Sequence, residues 1–141
     1  MNAERIAIAQ LKVDEGFRRF MYLCPAGYPT IGFGTRIDQG GEGVSEAAAG
    51  QMLQEAVISR AIELLRFEWF RNLDDARKAI LINMTYQLGL HGVLQFKKMI
   101  AALEQGDFQR ASEEMLESQW AEQTPTRAKR LSEFMRKGTT V

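Results

Sequence analysis

The sequence predicts an α+β fold that is mostly helical, with a small β-hairpin lobe joined by a long helix to an all-helical lobe. Three observations predict it. Two short strand-like runs flank a Cys24-Pro25-Ala26-Gly27 turn near the N-terminus. A long run of helix formers, SEAAAGQMLQEAVISRAIELLR, follows and exceeds what one compact lobe would bury. Beyond it, every segment reads as helix punctuated by glycine, aspartate or proline.

The first helix is expected over about 3–15, with Asn2 as N-cap and Gly16 just past the C-terminus. Ile6, Ala9 and Val13 share one face. Asp14 and Glu15 fall in its last turn, where the negative end of a helix dipole disfavours a carboxylate and favours the protonated form. A general acid needs that form near neutral pH. Strands are expected at Phe17–Leu23 and Tyr28–Phe33, joined by the Cys24–Gly27 turn. Glycines cluster at 32, 34, 40, 41 and 43, and Thr35–Val44 reads as a third short strand or loop closing the sheet. A sheet this small must lean on helices.

Ser45 caps the long helix, expected to reach Arg66 and to bridge the two lobes. A helix then starts at Asn72 or Asp74, runs to Leu88 and breaks at Gly89–Gly92. The next spans about Val93 to Gln105, ended by Gly106, and Asp107 caps another reaching about Ala121. Thr124-Pro125 is an N-cap followed by proline at the first helical position, and that last helix ends near Lys137-Gly138. The organisation expected is one domain over 1–141: an α/β lobe at about 12–45, a bridging helix at about 45–66, and a helical lobe at about 67–141 that includes the N-terminal helix. Ligands often bind where such lobes meet.

Eighteen basic and eighteen acidic residues cancel, which argues against a dedicated nucleic-acid binder. One cysteine excludes an internal disulfide. No run approaches the roughly 18 apolar residues that span a bilayer, and the charged N-terminus is expected to be neither signal peptide nor anchor. The protein is therefore expected in the cytosol, without stable membrane insertion. The basic residues Arg127, Lys129, Arg130, Arg136 and Lys137 of the last helix read as a solvated face. No Cys/His cluster suggests a metal, and neither metal nor cofactor is expected.

Four blocks carry a family likeness: DEG at 14–16, GYPTIGFG at 27–34, ARKAILINMTYQLG at 76–89 and SQWAEQTPTRAKR at 118–130. In this order, they resemble the phage lysozymes (endolysins) of the T-even type. The resemblance implies a lysozyme-like fold and a muramidase that hydrolyses the β-1,4 bond between N-acetylmuramic acid and N-acetylglucosamine of bacterial peptidoglycan. The family's catalytic pattern is Glu, eight residues, Asp or Cys, five residues, Thr, and here it falls on Glu15, Cys24 and Thr30. Glu15 would protonate the leaving glycosidic oxygen, and Thr30 would hold the attacking water. The competing reading of Glu15 is a solvated acid at a helix end.

Glycosidases usually use two carboxylates, and a thiol stands at the second position here. Three roles are open to Cys24: a thiolate that activates water or steadies the cationic transition state, a nucleophile, or an inert turn residue. An ordinary thiol titrates at about pH 8.5, so a thiolate role needs a nearby cation. Arg127 matches the family arginine that lies close to the catalytic Glu, and otherwise reads as one exposed base among several. Asn83 and Gln87, spaced to share a helix face, offer amides that suit sugar hydroxyls and N-acetyl groups, unless they are satisfied internally. Gly89 is a further substrate-side candidate from the same NMTYQLG helix; Gln123 and Thr124 match family positions near the cleft, but Thr124 is fully explained as an N-cap. His91 is assigned no role, and Trp69 and Trp120 read as core.

Two departures from the family stand out. Thr35 occupies the position of a frequent histidine, and the stretch from Thr30 to Ser45 is short. A lower cleft wall with fewer sugar contacts is expected. A monomer used in host lysis is expected; without a signal sequence it would wait in the host cytoplasm for a holin to open the inner membrane. The alternatives are a lytic transglycosylase that needs only Glu15, and a non-catalytic peptidoglycan-binding relative.

Overall fold

The structure, a computed structural model, describes residues 2–138. Met1 and residues 139–141, which belong to the expected domain, lie outside the described residues. Two compact units divide the chain, Met1–Met52 and Leu53–Val141.

The first unit begins with α1 (Asn2–Glu15), so Asn2 is the first helical residue and not the expected N-cap. Gly16 ends the helix as expected: its φ of 67° is left-handed, and its N–H reaches Lys12 O at 3.1 Å. Three antiparallel strands follow in the order β1 (Arg18–Leu23), β2 (Pro29–Gly32) and β3 (Thr35–Arg36). The third is only two residues long, and the rest of the expected 35–44 segment is loop. Tyr22 pairs with Thr30, and Thr30 with Arg36, so these three side chains form one row on one face of the sheet. The register shifts between Arg18 and Tyr22, the mark of a bulge. The Phe17 and Phe33 rings, 5.5 Å apart, tie the start of β1 to the chain just beyond β2.

The helix α2 (Glu46–Leu64) starts where the sequence put it, with the Ser45 hydroxyl accepting from Ala48 N at 3.1 Å. A four-residue helix, α3 (Glu68–Arg71), was not expected. Its N-cap is Phe67, which offers no side-chain acceptor and hence no local signal.

The helix α4 (Asp75–Leu94) differs from the expected break at 89–92. Only Gly89, at φ 77° and ψ 161°, leaves helical geometry, and the chain resumes as helix at once. Then come α5 (Lys97–Glu104), α6 (Phe108–Leu116), α7 (Gln119–Gln123) and α8 (Pro125–Lys137). The single helix expected over 107–121 is therefore two. Ser118 interrupts it, caps α7 through Ala121 N and donates to Met115 O. Asp107 caps α6 as read. Thr124 sits at the start of α8 but does not cap it with its side chain; its hydroxyl turns back to Trp120 O at 3.0 Å.

The second unit holds the hydrophobic core. Phe70, Leu81, Met84, Met99, Met115 and Met135 are fully or almost fully buried in it, and Trp120 is 4% exposed. Burying each such side chain is worth about 1.5–3 kcal/mol, and unbranched methionines fill the irregular gaps between short helices. Trp69 is half-buried against this core, in line with the sequence. Arg77, which the sequence left without a role, reaches from α4 to the end of α8. It donates to Met135 O at 2.7 Å and Arg136 O at 3.1 Å, satisfying carbonyls that a helix end leaves open.

Candidate active site

Glu15 is the last residue of α1, and the chain turns at Gly16 into the sheet. Its carboxylate lies against Gly34, just past β2, where φ is 80°. A Cβ at Gly34 would come within 2.7 Å of Glu15 Oε2. Glycine is thus required there twice, for its backbone and for the space beside the acid.

Cys24 opens the hairpin turn. Gly27 N–H closes that turn onto Cys24 O at 2.7 Å, and Gly27 at φ 87° returns the chain to pair Cys24 N with Tyr28 O at 2.9 Å. Tyr28 N–H points at Cys24 Sγ, 3.4 Å away. This backbone donor, foremost, holds the thiol below its ordinary pKa; Ala26 and Gly27 N–H and the Thr30 hydroxyl add to it, while burial opposes it. The sequence called for a cation beside a thiolate; Arg36 interacts electrostatically with Cys24, and the turn adds backbone donors, which no residue type announces.

Thr30 is 3% exposed, in β2, and its hydroxyl donates to Tyr28 O at 2.8 Å. A hydroxyl carries one proton, so donation to a Cys24 thiolate requires rotation away from that carbonyl. Tyr28 thus links both residues through its own backbone. The sequence reading gave Tyr28 no role, and no feature of the residue itself could have signalled one.

Arg36, another residue the sequence passed over, stacks its guanidinium on the Tyr28 ring, 3.4 Å from the centroid. Asp38 grips the same guanidinium with both carboxylate oxygens, one at 2.9 Å from Nη2. Each partner favours the charged form of the other, so Asp38 titrates below the usual carboxylate range and Arg36 above its ordinary value. Thr35, where the family often has histidine, pairs with Ile31 and is half-buried.

The remaining predicted residues belong to the second unit. Asn83 on α4 and Arg127 on α8 are half-buried partners: Asn83 Oδ1 accepts from Arg127 Nε at 3.1 Å and Nη2 at 2.6 Å. Gln87, one turn along α4, accepts from the indole N–H of Trp120 at 2.9 Å. Both amide oxygens thus have internal partners. Gly89 is exposed at the kink, two residues beyond Gln87. Gln123 is exposed at the end of α7, on an open groove of about 610 Å³ that Trp120, Phe96 and Leu88 also line. Among the described residues, no group of three or more His, Cys, Asp or Glu is placed to hold a metal ion, and no helix is long and apolar enough to cross a membrane.

Comparison with known proteins adds to this geometry. The family model described as phage lysozyme matches residues 12–137. Probable T4-type lysozyme 1 of Dictyostelium discoideum is 31% identical, over 92% of this chain and 92% of its own. Probable T4-type lysozyme 2 of the same organism is 37% identical over 50% of this chain and 41% of its own. The pre-baseplate central spike protein Gp5 of Enterobacteria phage T4 is 27% identical over 86% of this chain, which matches 26% of that protein.

Proposed function

The chain belongs to the phage lysozyme family, and from that membership we propose that it is a muramidase acting on the β-1,4 bond between N-acetylmuramic acid and N-acetylglucosamine. It is a lysozyme glycosidase, and peptidoglycan is its substrate. Glu15 gives its proton to the glycosidic oxygen as the bond to the anomeric carbon breaks. A water adds to that carbon and passes its proton to the Cys24 thiolate. Cys24, whose thiolate the turn's N–H groups favour, orders this water and faces the developing positive charge, with Thr30 beside it.

The observation that supports this reading best is the seat of Glu15. Its carboxylate rests on Gly34 at the end of the same hairpin that carries Cys24 and Thr30. Family resemblance supports substrate contacts for Asn83, Gln87, Gly89, Gln123 and Arg127; within the second unit, the amide NH2 groups suit N-acetyl carbonyls, and Asn83 accepts two hydrogen bonds from the Arg127 guanidinium. The wider role is lysis of the bacterial host by a monomer that waits in the cytoplasm for a holin. Family resemblance supports it.

Glu15→Gln tests the reading. The variant should keep its fold and lose clearing of cell-wall suspensions by about 10²–10⁴-fold, the range of general acid catalysis. Near-normal clearing would overturn the assignment.

A further inference from the structure

We propose that Arg36 is a positioning residue for the Cys24–Thr30 pair, acting through Tyr28. The inference rests on the reading of Cys24 and Thr30 as part of the reacting site. Three contacts hold the Arg36 guanidinium. One face lies on the Tyr28 ring, 3.4 Å from its centroid. Asp38 fixes its edge with two hydrogen bonds. The loop after β3 folds over it so closely that a Cβ at Gly40 would lie 2.9 Å from Cζ, and one at Gly41 would lie 2.6 Å from Cγ. Gly43 N–H and Gly41 N–H pin that loop to Arg36 O at 3.1 Å and Asp38 O at 3.0 Å. The adjacent glycines of the sequence are thus the wall of this clamp.

The clamp bears on the thiol through one residue. Tyr28 N–H donates to Cys24 Sγ, and Tyr28 O accepts from both Cys24 N and Thr30 Oγ1. Arg36 is also the cross-strand partner of Thr30, so the two side chains share a face. The bidentate carboxylate fixes the guanidinium, and the guanidinium stacked on the ring restrains Tyr28. Restraining that ring keeps the Tyr28 N–H aimed at sulfur. Among the described residues, Arg36, ion-paired with Asp38, interacts electrostatically with the thiol from the paired strand. Lysine cannot replace Arg36, because it lacks the planar fork that Asp38 and the ring both use.

The single cysteine of the chain makes the test direct. Alkylation of Cys24 by iodoacetamide is followed against pH on the folded full chain, without substrate. Arg36→Met should shift the thiol titration upward and slow alkylation at pH 7 by about three- to tenfold, since thiolate fraction falls tenfold per unit. Arg36→Lys should recover little. If Arg36→Met fails to fold, Gly40→Ala displaces the same guanidinium and should shift the titration the same way. An unchanged titration in a folded variant overturns the proposal. So does faster alkylation, the signature of a loosened turn. Because no substrate is present, a protein inert on peptidoglycan would refute the functional reading while this titration still decides on Arg36.

Discussion

The carboxylate of Glu15 and the α-carbon of Gly34 are packed so tightly that no side chain fits between them, with 2.7 Å separating Oε2 from a Cβ built at Gly34. Gly34→Ala therefore has two effects of different kinds. Alanine at φ 80° costs roughly 1–2 kcal/mol. The new methyl also pushes the acid aside, since a side-chain end yields before backbone does. Activity should fall by about tenfold or more, because misplacing a catalytic group by an ångström is costly. Gly106→Ala is the control: φ is 70° there, but nothing lies within 4 Å of the added Cβ. It should lower the Tm comparably and leave activity intact. Equal activity loss in both variants would show that strain alone, and not the seat of Glu15, is responsible.

Gln87 and Trp120 give a second prediction. The indole N–H is buried and its acceptor is Gln87 Oε1. Gln87→Leu leaves that donor without its partner, at a cost of about 1–3 kcal/mol. Thermal unfolding should register it, whereas Gln87→Glu, which keeps an acceptor oxygen, should lose less.

Much of this architecture was legible because it is written in local chemistry. Gly16, Ser45, Asp107 and Pro125 each mark a helix end through their own backbone or side chain, and each stands where the chain needs it. The misses share a cause as well. The helix α3 has an apolar cap, and Ser118 splits α6 from α7 inside a run of good helix formers. The first gives no local signal, whereas Ser118 is an N-cap residue type masked by its helix-forming neighbours. At the candidate site, the Glu-Cys-Thr spacing was visible, but the partners of Cys24 were not. Tyr28 acts through its backbone, and Arg36 reaches it only by strand pairing, which a linear reading cannot supply.

Cys24 yields a pH prediction. Its donors favour the thiolate, so the working form builds up as pH rises, at a pH below that of an ordinary thiol. If Cys24 orders water as an anion while Glu15 must keep its proton, the rate follows the product of the two forms, and the thiol titration should appear as an inflection in the pH–rate profile. In Cys24→Asp that inflection should move down into the carboxylate range, near pH 4 for an unperturbed aspartate at roughly 3.9. Full activity in Cys24→Ala would mean that the thiol is inert.

Mass spectrometry of the soluble products from purified peptidoglycan tests the central claim most directly. Wild-type protein should release fragments ending in reducing N-acetylmuramic acid, because water is the attacking group, and Glu15→Gln should release almost none. Fragments lighter by one water, carrying 1,6-anhydro ends, would contradict the hydrolytic account and mean that the sugar's own hydroxyl attacked.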